Sequence, residues 1–232
     1  MSIKYNPEFI QLISELSQVN RKIIIEKDEE TKKVKVSRKN DEKYMAYVLE
    51  ASYDHFDIPE TIGIYDYVDF FRCFKIITNP KLAKVGNKLA MMSSEGSQFN
   101  YILANPESLK TGAKKINFNN PGYEFKLTKD ALAEINQAQN QVNPRYASFK
   151  CNSKGVSMDL FSLKETQESS FSKTFKAEVL KGAEDVEFKI YADVFEKIPK
   201  RDYTITIQCP GHVRLSLDEE GMDLNIYTGR TK

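Results

Sequence analysis

The stretch IGIYDYVDFFRCFKII, residues 62–77, combines a short strand with an apolar helix that follows it directly. A strand pattern covers residues 61–65, and helical spacing of apolar side chains follows over 67–77. Asp66 lies at the junction, where a carboxylate can accept hydrogen bonds from the first unpaired N–H groups of the helix. Pro80 lies beyond the helix end. The stretch therefore predicts a strand, a capped turn and a short helix.

The same arrangement recurs in the second half of the chain. Ile64-Tyr65 is followed by Val68, and Ile190-Tyr191 is followed by Val194. Later in each half, Gly96 precedes Phe99-Asn100 as Gly221 precedes Leu224-Asn225. The offset is about 125 residues in each case, which predicts a duplicated domain.

The remaining pattern mixes helices with many short strands. A first helix is predicted over 7–19, because Phe9, Leu12, Ile13, Leu16 and Val19 share one face. Further helices are predicted near 128–142, ending before Pro144, and over 192–198. Predicted strands cover 22–26, 32–37, 44–50, 88–94 and 97–104, then 123–128, 145–151, 156–163, 172–180, 186–191, 202–208, 212–218 and 222–228. The fold class is therefore α+β, with two similar domains that each pack two helices on antiparallel sheet.

A linker separates the two predicted domains. Residues 105–122 carry prolines, glycines and asparagines with little apolar periodicity, so we place domain one at 1–104 and domain two at 123–232. The linker's apolar residues, Leu109, Ile116 and Phe118, suggest that it lies on a surface. The charged tract 27–43 is interpreted as a solvated hairpin on an outer edge.

Composition limits the possible functions. The 232 residues are 41% hydrophobic and 29% charged, which suits a packed core, and the net charge of +1 argues against a strongly basic exterior. No run of 18 apolar residues or signal pattern is present in the sequence. Cys73, Cys151 and Cys209 are scattered, which favours reduced thiols over a metal site. We expect no metal and no cofactor.

Catalytic motifs are missing from the sequence. No glycine-rich phosphate loop, GxSxG or HExxH is present. Asp54 and Asp57 flank His55, a pattern more typical of a polar turn between strands than of a base or metal site. Cys73 lies in an apolar helix and is expected in the core. We therefore expect no enzymatic activity.

Three segments resemble DNA sliding clamps of the tailed-phage type and, more distantly, proliferating cell nuclear antigen. They are IGIYDYVDFFRCFKII (62–77), SEGSQFNYILANPESL (94–109) and IPKRDYTITIQCPGHVRLSLDEEGMDLNIYTG (198–229). The resemblance implies a closed homotrimeric ring that encircles duplex DNA independently of base sequence and tethers the replicative polymerase. It also implies a clamp loader as partner and the cytoplasm of an infected host cell as location. The tract 27–43 departs from the family's usual length.

The resemblance also implies roles for individual residues. DNA would be contacted by amides on the long helices and cations near the short ones, namely Gln11, Gln18, Arg72, Lys75, Lys81, Lys84, Asn136, Gln137, Asn140, Lys197, Lys200 and Arg201. Subunits would join through two strand edges, 98–103 with Phe99, Tyr101 and Leu103, and 172–180 with Phe175, Ala177 and Val179. A partner peptide would dock against Leu109, Ile116, Phe118, Val194, Pro199 and Tyr227.

Two other readings remain open from the sequence alone. A phage structural protein of two β-rich domains would explain the sheets and the missing catalytic motifs, but not the duplicated helices. A nuclease or other nucleic-acid enzyme would need a carboxylate cluster on neighbouring strand ends, and the sequence does not reveal one.

Overall fold

The computed structural model describes residues 2–109, 112–162, 169–219 and 221–231, and in them the chain has the predicted α+β fold. Elements of the first half are β1 Ser2–Tyr5, α1 Pro7–Leu16, β2 Ile23–Asp28, β3 Lys33–Lys39, β4 Met45–Ser52, β5 Phe56–Asp57, β6 Ile62–Ile64, α2 Tyr67–Ile76, β7 Lys81–Val85, β8 Lys88–Met92 and β9 Gln98–Ile102. A 3₁₀ turn, Pro106–Leu109, follows them. Elements of the second half are β10 Tyr123–Leu127, α3 Lys129–Val142, β11 Tyr146–Asn152, β12 Gly155–Phe161, β13 Ser170–Phe175, β14 Glu178–Val179, β15 Val186–Tyr191, α4 Val194–Lys197, β16 Tyr203–Gln208, β17 His212–Glu219 and β18 Met222–Gly229.

The order of elements is the same in both halves. Each half has one strand, a helix, five strands, a second helix and three strands. The chain forms two compact units, Met1–Asp41 with Tyr47–Lys114 and Asp218–Leu224, and Glu42–Ala46 with Lys115–Leu217 and Asn225–Lys232. The predicted duplication of an α+β pattern is therefore present in the fold.

Strand neighbours also repeat between the units. In the first unit the strands run in the orders β5-β1-β7-β8-β9 and β4-β3-β2-β6. In the second unit they run in the orders β14-β10-β16-β17-β18 and β13-β12-β11-β15. Each strand of the first unit therefore has an equivalent in the second, and β4 corresponds to β13 as β9 corresponds to β18.

Helix boundaries follow local capping chemistry. Asn6 and Asp66 accept hydrogen bonds from the N–H groups of Glu8 and Val68, both at 2.9 Å, and so begin α1 and α2. Asn143 ends α3 in the left-handed conformation that asparagine tolerates, with φ of 50°. The buried face of α1 is the predicted one. The helix itself ends at Leu16, three residues earlier than predicted, because Ser17 turns the chain and its Oγ donates to the Ser14 carbonyl at 2.7 Å.

The charged tract 27–43 is a hairpin, as predicted, but it is neither solvated throughout nor at a sheet edge. β3 lies between β4 and β2, and β6 ends this sheet. Val34 and Val36 are fully buried, and Arg38 is only 2% exposed, with its Nε donating to the Lys22 carbonyl at 2.5 Å. Alternation of valine with charged residues buries one face of the strand, which outweighs the tract's average polarity.

Other strand predictions need smaller corrections. β1, β5 and β7 were not predicted, because each is short and is stabilised by a distant partner, as in the pairing of Ile3 with Leu82. The predicted strand 172–180 is divided into β13 and β14, which join different sheets. Leu163 of the predicted strand 156–163, and Lys110 and Thr111 of the linker, lie outside the described residues.

Candidate nucleic-acid interface

Each unit packs its two helices together. In the first unit the Tyr67 hydroxyl of α2 donates to the Ile10 carbonyl of α1 at 3.1 Å. In the second unit the Gln139 carboxamide of α3 donates to the carbonyl of Ala192, just before α4, at 2.5 Å. These buried contacts fix which helix faces remain open to solvent.

The amides predicted on α1 are placed differently from each other. Gln11 is half-buried, and its Nε2 donates to Glu15 Oε1 at 3.0 Å. Gln18 is exposed but lies in the turn after α1, not on the helix as predicted. Because α1 carries Glu8 and Glu15 and no cation, its open face is polar without being basic.

On α2 the predicted cations are exposed but not isolated. Arg72 forms an ion pair with Asp69 at 3.2 Å, and the Lys75 ammonium lies 4.4 Å from the Phe71 ring centroid. The Arg72 and Lys75 side chains both remain exposed to solvent, and the Arg72–Asp69 pair itself lies on the surface. Exposed pairs of this kind contribute little to stability.

Lys81 and Lys84 lie on strand β7 beyond α2. Lys81 is exposed. Lys84 bonds Glu60 at 2.6 Å and the Gly86 carbonyl at 2.7 Å, and its side chain is only 16% exposed. The charge of Lys84 is therefore largely neutralised within the first unit.

On α3 the predicted amides form a partly open face. Gln137 and Asn140 are exposed. Asn136 is half-buried, and its Oδ1 is buried without a hydrogen-bond partner among the described residues. Nearby, Glu134 bonds Lys173 of β13, so a further cation is compensated.

Lys197 of α4 belongs to a compact polar cluster in the second unit. Its ammonium donates to Asp193 Oδ2 and to the Tyr44 hydroxyl, both at 2.7 Å, and the Tyr44 hydroxyl also donates to Asp193 Oδ2. The Tyr44 ring in turn contacts the Tyr191 ring at 4.3 Å between centroids. Lys200 is exposed and Arg201 half-buried just after α4, so these two carry the more available charge.

The cluster raises the pKa of both Lys197 and Tyr44. Burial alone would lower the pKa of Lys197, but the hydrogen bonds to Asp193 and Tyr44 raise it well above its ordinary value. Burial, together with the hydrogen bond to Asp193, raises the pKa of Tyr44. Both groups therefore stay protonated at physiological pH.

The residues predicted at subunit contacts lie on or beside strands that end their sheets. β9 ends one sheet of the first unit, with Ile102 65% exposed and Phe99 and Tyr101 half-buried. β13 ends a sheet of the second unit. Among its predicted contacts, Phe175 is buried against Phe125 at 4.6 Å. Leu103 is buried, Ala177 half-buried and Val179 exposed on β14.

The residues predicted for a peptide pocket are brought together only in part. Phe118 lies 6.3 Å from the Tyr227 ring, and the Arg214 guanidinium lies 5.2 Å from Phe118. Ile116 is 49% exposed. Val194 is fully buried and Pro199 is buried, so neither presents a surface, and Leu109 is buried in the first unit near Gly63.

Local sequence patterns missed two groups of residues. Arg214 was not predicted, because its contact with Phe118 joins strand β17 to the linker, which lies far away in sequence. Arg21, Lys22 and Tyr65 line a groove in the first unit, although the arginine and the tyrosine are far apart in sequence. Tyr65, an aromatic residue directly before the N-cap Asp66, is the sequence feature that could have indicated this groove.

The described residues contain no group of three or more His, Cys, Asp or Glu side chains arranged to hold a metal ion. Within the same part of the chain, no helix is long and apolar enough to cross a membrane.

No protein-family model and no curated protein matches the sequence. Solved structures do match, over almost the whole chain. A. fulgidus PCNA bound to the C-terminal region of FEN-1 superposes with a TM-score of 0.77 at 13% identity, covering 100% of this chain and 99% of that chain. Proliferating cellular nuclear antigen from Entamoeba histolytica gives 0.75 at 13% identity, with 97% and 95% covered. The PCNA2–PCNA3 complex from Sulfolobus tokodaii gives 0.75 at 13% identity, with 99% of each chain covered.

Proposed function

We propose that this chain, which has the fold of the proliferating cellular nuclear antigens, is a sliding clamp that encircles duplex DNA and tethers a replicative polymerase. The observation that carries the proposal is the likeness of the entire chain, with both repeats, to those clamps. A clamp acts by topology and needs no catalytic group, so we propose no enzymatic activity and no cofactor. Within this function we keep the boundaries 1–104, 105–122 and 123–232 for the two domains and their linker.

The internal repeat supports a closed ring of copies, for which the segment resemblance favours three. In the first unit, the end of β4 contacts the turn between β17 and β18: the Ser52 N–H donates to the Gly221 carbonyl at 3.4 Å. β13 is the equivalent of β4, and among the described residues it ends its sheet. β9 is the equivalent of β18, so β9 of one copy is the natural partner for β13 of the next. Such a head-to-tail contact must close into a ring to leave no open edge.

DNA contact in the ring is proposed to be weak and independent of sequence. The exposed groups on or near the helices include the amides Gln137 and Asn140 and the cations Lys75, Lys81 and Lys200, with Arg72 paired to Asp69 and Arg201 half-buried. Amides can contact phosphates directly or through water without strong Coulomb attraction. A clamp that moves along DNA requires this balance.

A peptide of the polymerase is proposed to dock beside the linker. The comparison structure of A. fulgidus PCNA holds the C-terminal region of FEN-1. In this chain, exposed Ile116 and half-buried Phe118 provide the apolar surface, with Arg214 over the Phe118 ring and Tyr227 buried next to it. Val194 and Pro199 are buried, so we do not propose that they touch the peptide.

The peptide site can be tested with Ile116→Asp. Calorimetric titration of the clamp with a C-terminal peptide of its polymerase should show binding to the natural chain and none to the variant. Lys114→Asp, which changes an exposed linker residue nearby, is the charge control and should bind. Equal affinity for all three proteins would remove Ile116 from the site.

The location and other partners follow from the same proposal. The segment resemblance favours a tailed-phage clamp, which would work with a clamp loader in the cytoplasm of an infected host cell.

Primer extension by the cognate polymerase and loader tests the function. Products on a long circular template should lengthen when this protein is added, and they should do so less on a short linear template with free ends, from which a ring slides off. A structural protein or a nuclease would give no lengthening or would shorten the DNA. Unchanged product lengths with an active loader would overturn the proposal.

A further inference from the structure

A groove of about 510 Å³ lies in the first unit, between the turn that follows α1 and the junction of β6 with α2. One wall is formed by residues 17–22 and the other by Tyr65, Asp66 and Val68, and Asp41 also lines the groove. Gln18, Arg21, Lys22 and Tyr65 bring a carboxamide, two cations and an aromatic ring to this groove.

Backbone hydrogen bonds hold the two walls in place. The Tyr67 N–H donates to the Arg21 carbonyl at 2.9 Å, which joins the walls directly. The Lys22 carbonyl accepts from the buried Arg38 guanidinium, and the Lys22 N–H donates to Asn20 Oδ1 at 3.0 Å. The groove is therefore preorganised, and a ligand would not need to order its walls.

Tyr65 presents a flat apolar surface to solvent. Its neighbours in the segment, Ile64 and Tyr67, are fully buried, whereas Tyr65 is 63% exposed. The Lys22 ammonium lies 5.3 Å from the centroid of the Tyr65 ring. At 63% exposure much of the ring is accessible to solvent, and the Lys22 ammonium lies over part of it.

Arg21 adds a second cation on the same side of the groove as Lys22. Its guanidinium is 68% exposed and lies 3.5 Å from Asp66 Oδ2. The other oxygen of Asp66 accepts from the N–H groups of Val68 and Asp69, so this carboxylate also caps α2. With Asp41, the groove holds two acids and two cations. Asp66 is engaged within the protein, whereas Asp41 is exposed and accepts one long hydrogen bond, 3.5 Å, from the Asn20 side chain.

We infer that this groove binds an unpaired nucleotide of single-stranded DNA, with the base on the open face of Tyr65 and the phosphate near Lys22 and Arg21. Aromatic stacking accepts any base, and lysine and arginine supply the phosphate contact. A base inside a duplex has both faces covered by its neighbours, so only an unpaired base can lie on the ring. The balanced charge predicts binding that is weak and lost at moderate salt.

The inference goes beyond encirclement of duplex DNA and does not depend on it. All groups that form the groove belong to the first unit, so binding requires neither ring closure nor a loader. In a working clamp, such a groove would engage the template strand where it is not yet copied.

Photo-crosslinking provides the direct test. The full chain is mixed at low salt with an oligothymidylate that carries one 5-iododeoxyuridine and is then irradiated. Mass spectrometry should map the crosslink to Tyr65, and unlabelled single strand should compete whereas blunt duplex should not. A crosslink located elsewhere, or equal competition by duplex, would overturn the inference.

Variants measured by fluorescence anisotropy with the same oligonucleotide separate stacking from charge. Tyr65→Ala should weaken binding at least about fivefold, whereas Tyr65→Phe should bind like the natural chain. A double variant with Gln in place of both Arg21 and Lys22 should bind the oligonucleotide more weakly, and its affinity should depend less on salt.

Tyr53 offers a matched control, since Lys27 lies 5.7 Å from its ring but is paired with Glu29 at 3.2 Å. Tyr53→Ala should leave affinity unchanged; an equal loss in Tyr53→Ala and Tyr65→Ala would contradict the inference. Primer extension on circular template keeps the two proposals apart. A Tyr65→Ala variant that still lengthens products but fails to crosslink supports both the clamp function and the single-strand groove. A natural chain that crosslinks without lengthening products contradicts the clamp function alone.

Discussion

Gly63 fixes the point where the first repeat passes into the linker. Its carbonyl accepts from the Ala104 N–H at 2.9 Å, and an added Cβ would lie 2.7 Å from the Ala104 oxygen and 3.0 Å from Leu109 Cδ1. A side chain there must push backbone atoms apart, because the contact is not with a flexible side-chain end.

Gly63→Ala should therefore lower the free energy of unfolding by about 1–3 kcal/mol. Urea denaturation followed by circular dichroism measures this loss. Gly229→Ala is the control, since the nearest atom to its added Cβ is 3.7 Å away and little change is expected. Equal stability of the two variants would show that the close approach at Gly63 can relax.

Lys197 gives a prediction for the dependence of stability on pH. In the folded chain its pKa is raised above the ordinary 10.5, so folding favours the protonated form. This contribution is complete below about pH 10 and is lost as the pH rises toward the folded pKa. The raised pKa of Tyr44 acts in the same direction.

The free energy of unfolding should thus decrease more steeply above pH 10 in the natural chain than in Lys197→Met. Urea titrations between pH 8 and pH 11 compare the two slopes. Lys200→Met removes an exposed lysine and should keep the natural slope. A Lys197→Met slope identical to that of the natural chain would mean that the cluster contributes nothing through protonation.

At the scale of elements, α2 depends on its N-cap residue, Asp66. Asp66 Oδ1 accepts from the N–H groups of Val68 at 2.9 Å and Asp69 at 3.2 Å. Asp66→Ala should lower stability by about 0.5–2 kcal/mol, because both donors lose their partner. Asp66→Asn keeps an acceptor oxygen and should retain most of that stability. Thermal unfolding compares the three proteins, and an unstable Asn variant would assign the effect to charge instead of capping.

Elements with local signals could be predicted from the sequence. The prediction of α2 at 67–77 is close to the observed Tyr67–Ile76. It succeeds because the N-cap and the apolar face of this helix come from residues that are adjacent in sequence. β1 could not be predicted, since its four residues form a strand only by pairing with β5 and β7. Burial of Arg38 in the charged tract depends on the distant Lys22 carbonyl, which local composition cannot reveal.

The candidate interface shows the same limit. Charge and spacing correctly located exposed Arg72 and Lys75 on α2. They could not show that Lys84 pairs with Glu60, or that Lys197 pairs with Asp193 and donates a hydrogen bond to Tyr44, since Glu60 and Tyr44 come from other parts of the chain. The DNA-facing role of each residue stays a prediction.

At the scale of the whole molecule, assembly should depend on the edge of β9. Multi-angle light scattering at micromolar concentration should give three times the chain mass of 26.7 kDa. Ile102→Lys places a charge on a strand edge that we propose to be buried between copies, so the variant should be largely monomeric. Ile76→Lys changes an equally exposed residue on α2 and should still assemble. A monomeric natural chain would count against a stable ring.

The pairing of cations has a consequence for motion along DNA. Arg72 with Asp69, Lys84 with Glu60 and Lys197 with Asp193 each place a negative group beside a positive one. A duplex passing such surfaces meets shallow electrostatic wells, because each attraction to a phosphate is offset by a nearby repulsion. A ring built from this chain would therefore diffuse along the helix axis with low friction. The salt dependence of its one-dimensional random walk would come mainly from Lys75, Lys81 and Lys200, which the proposal leaves available to phosphates.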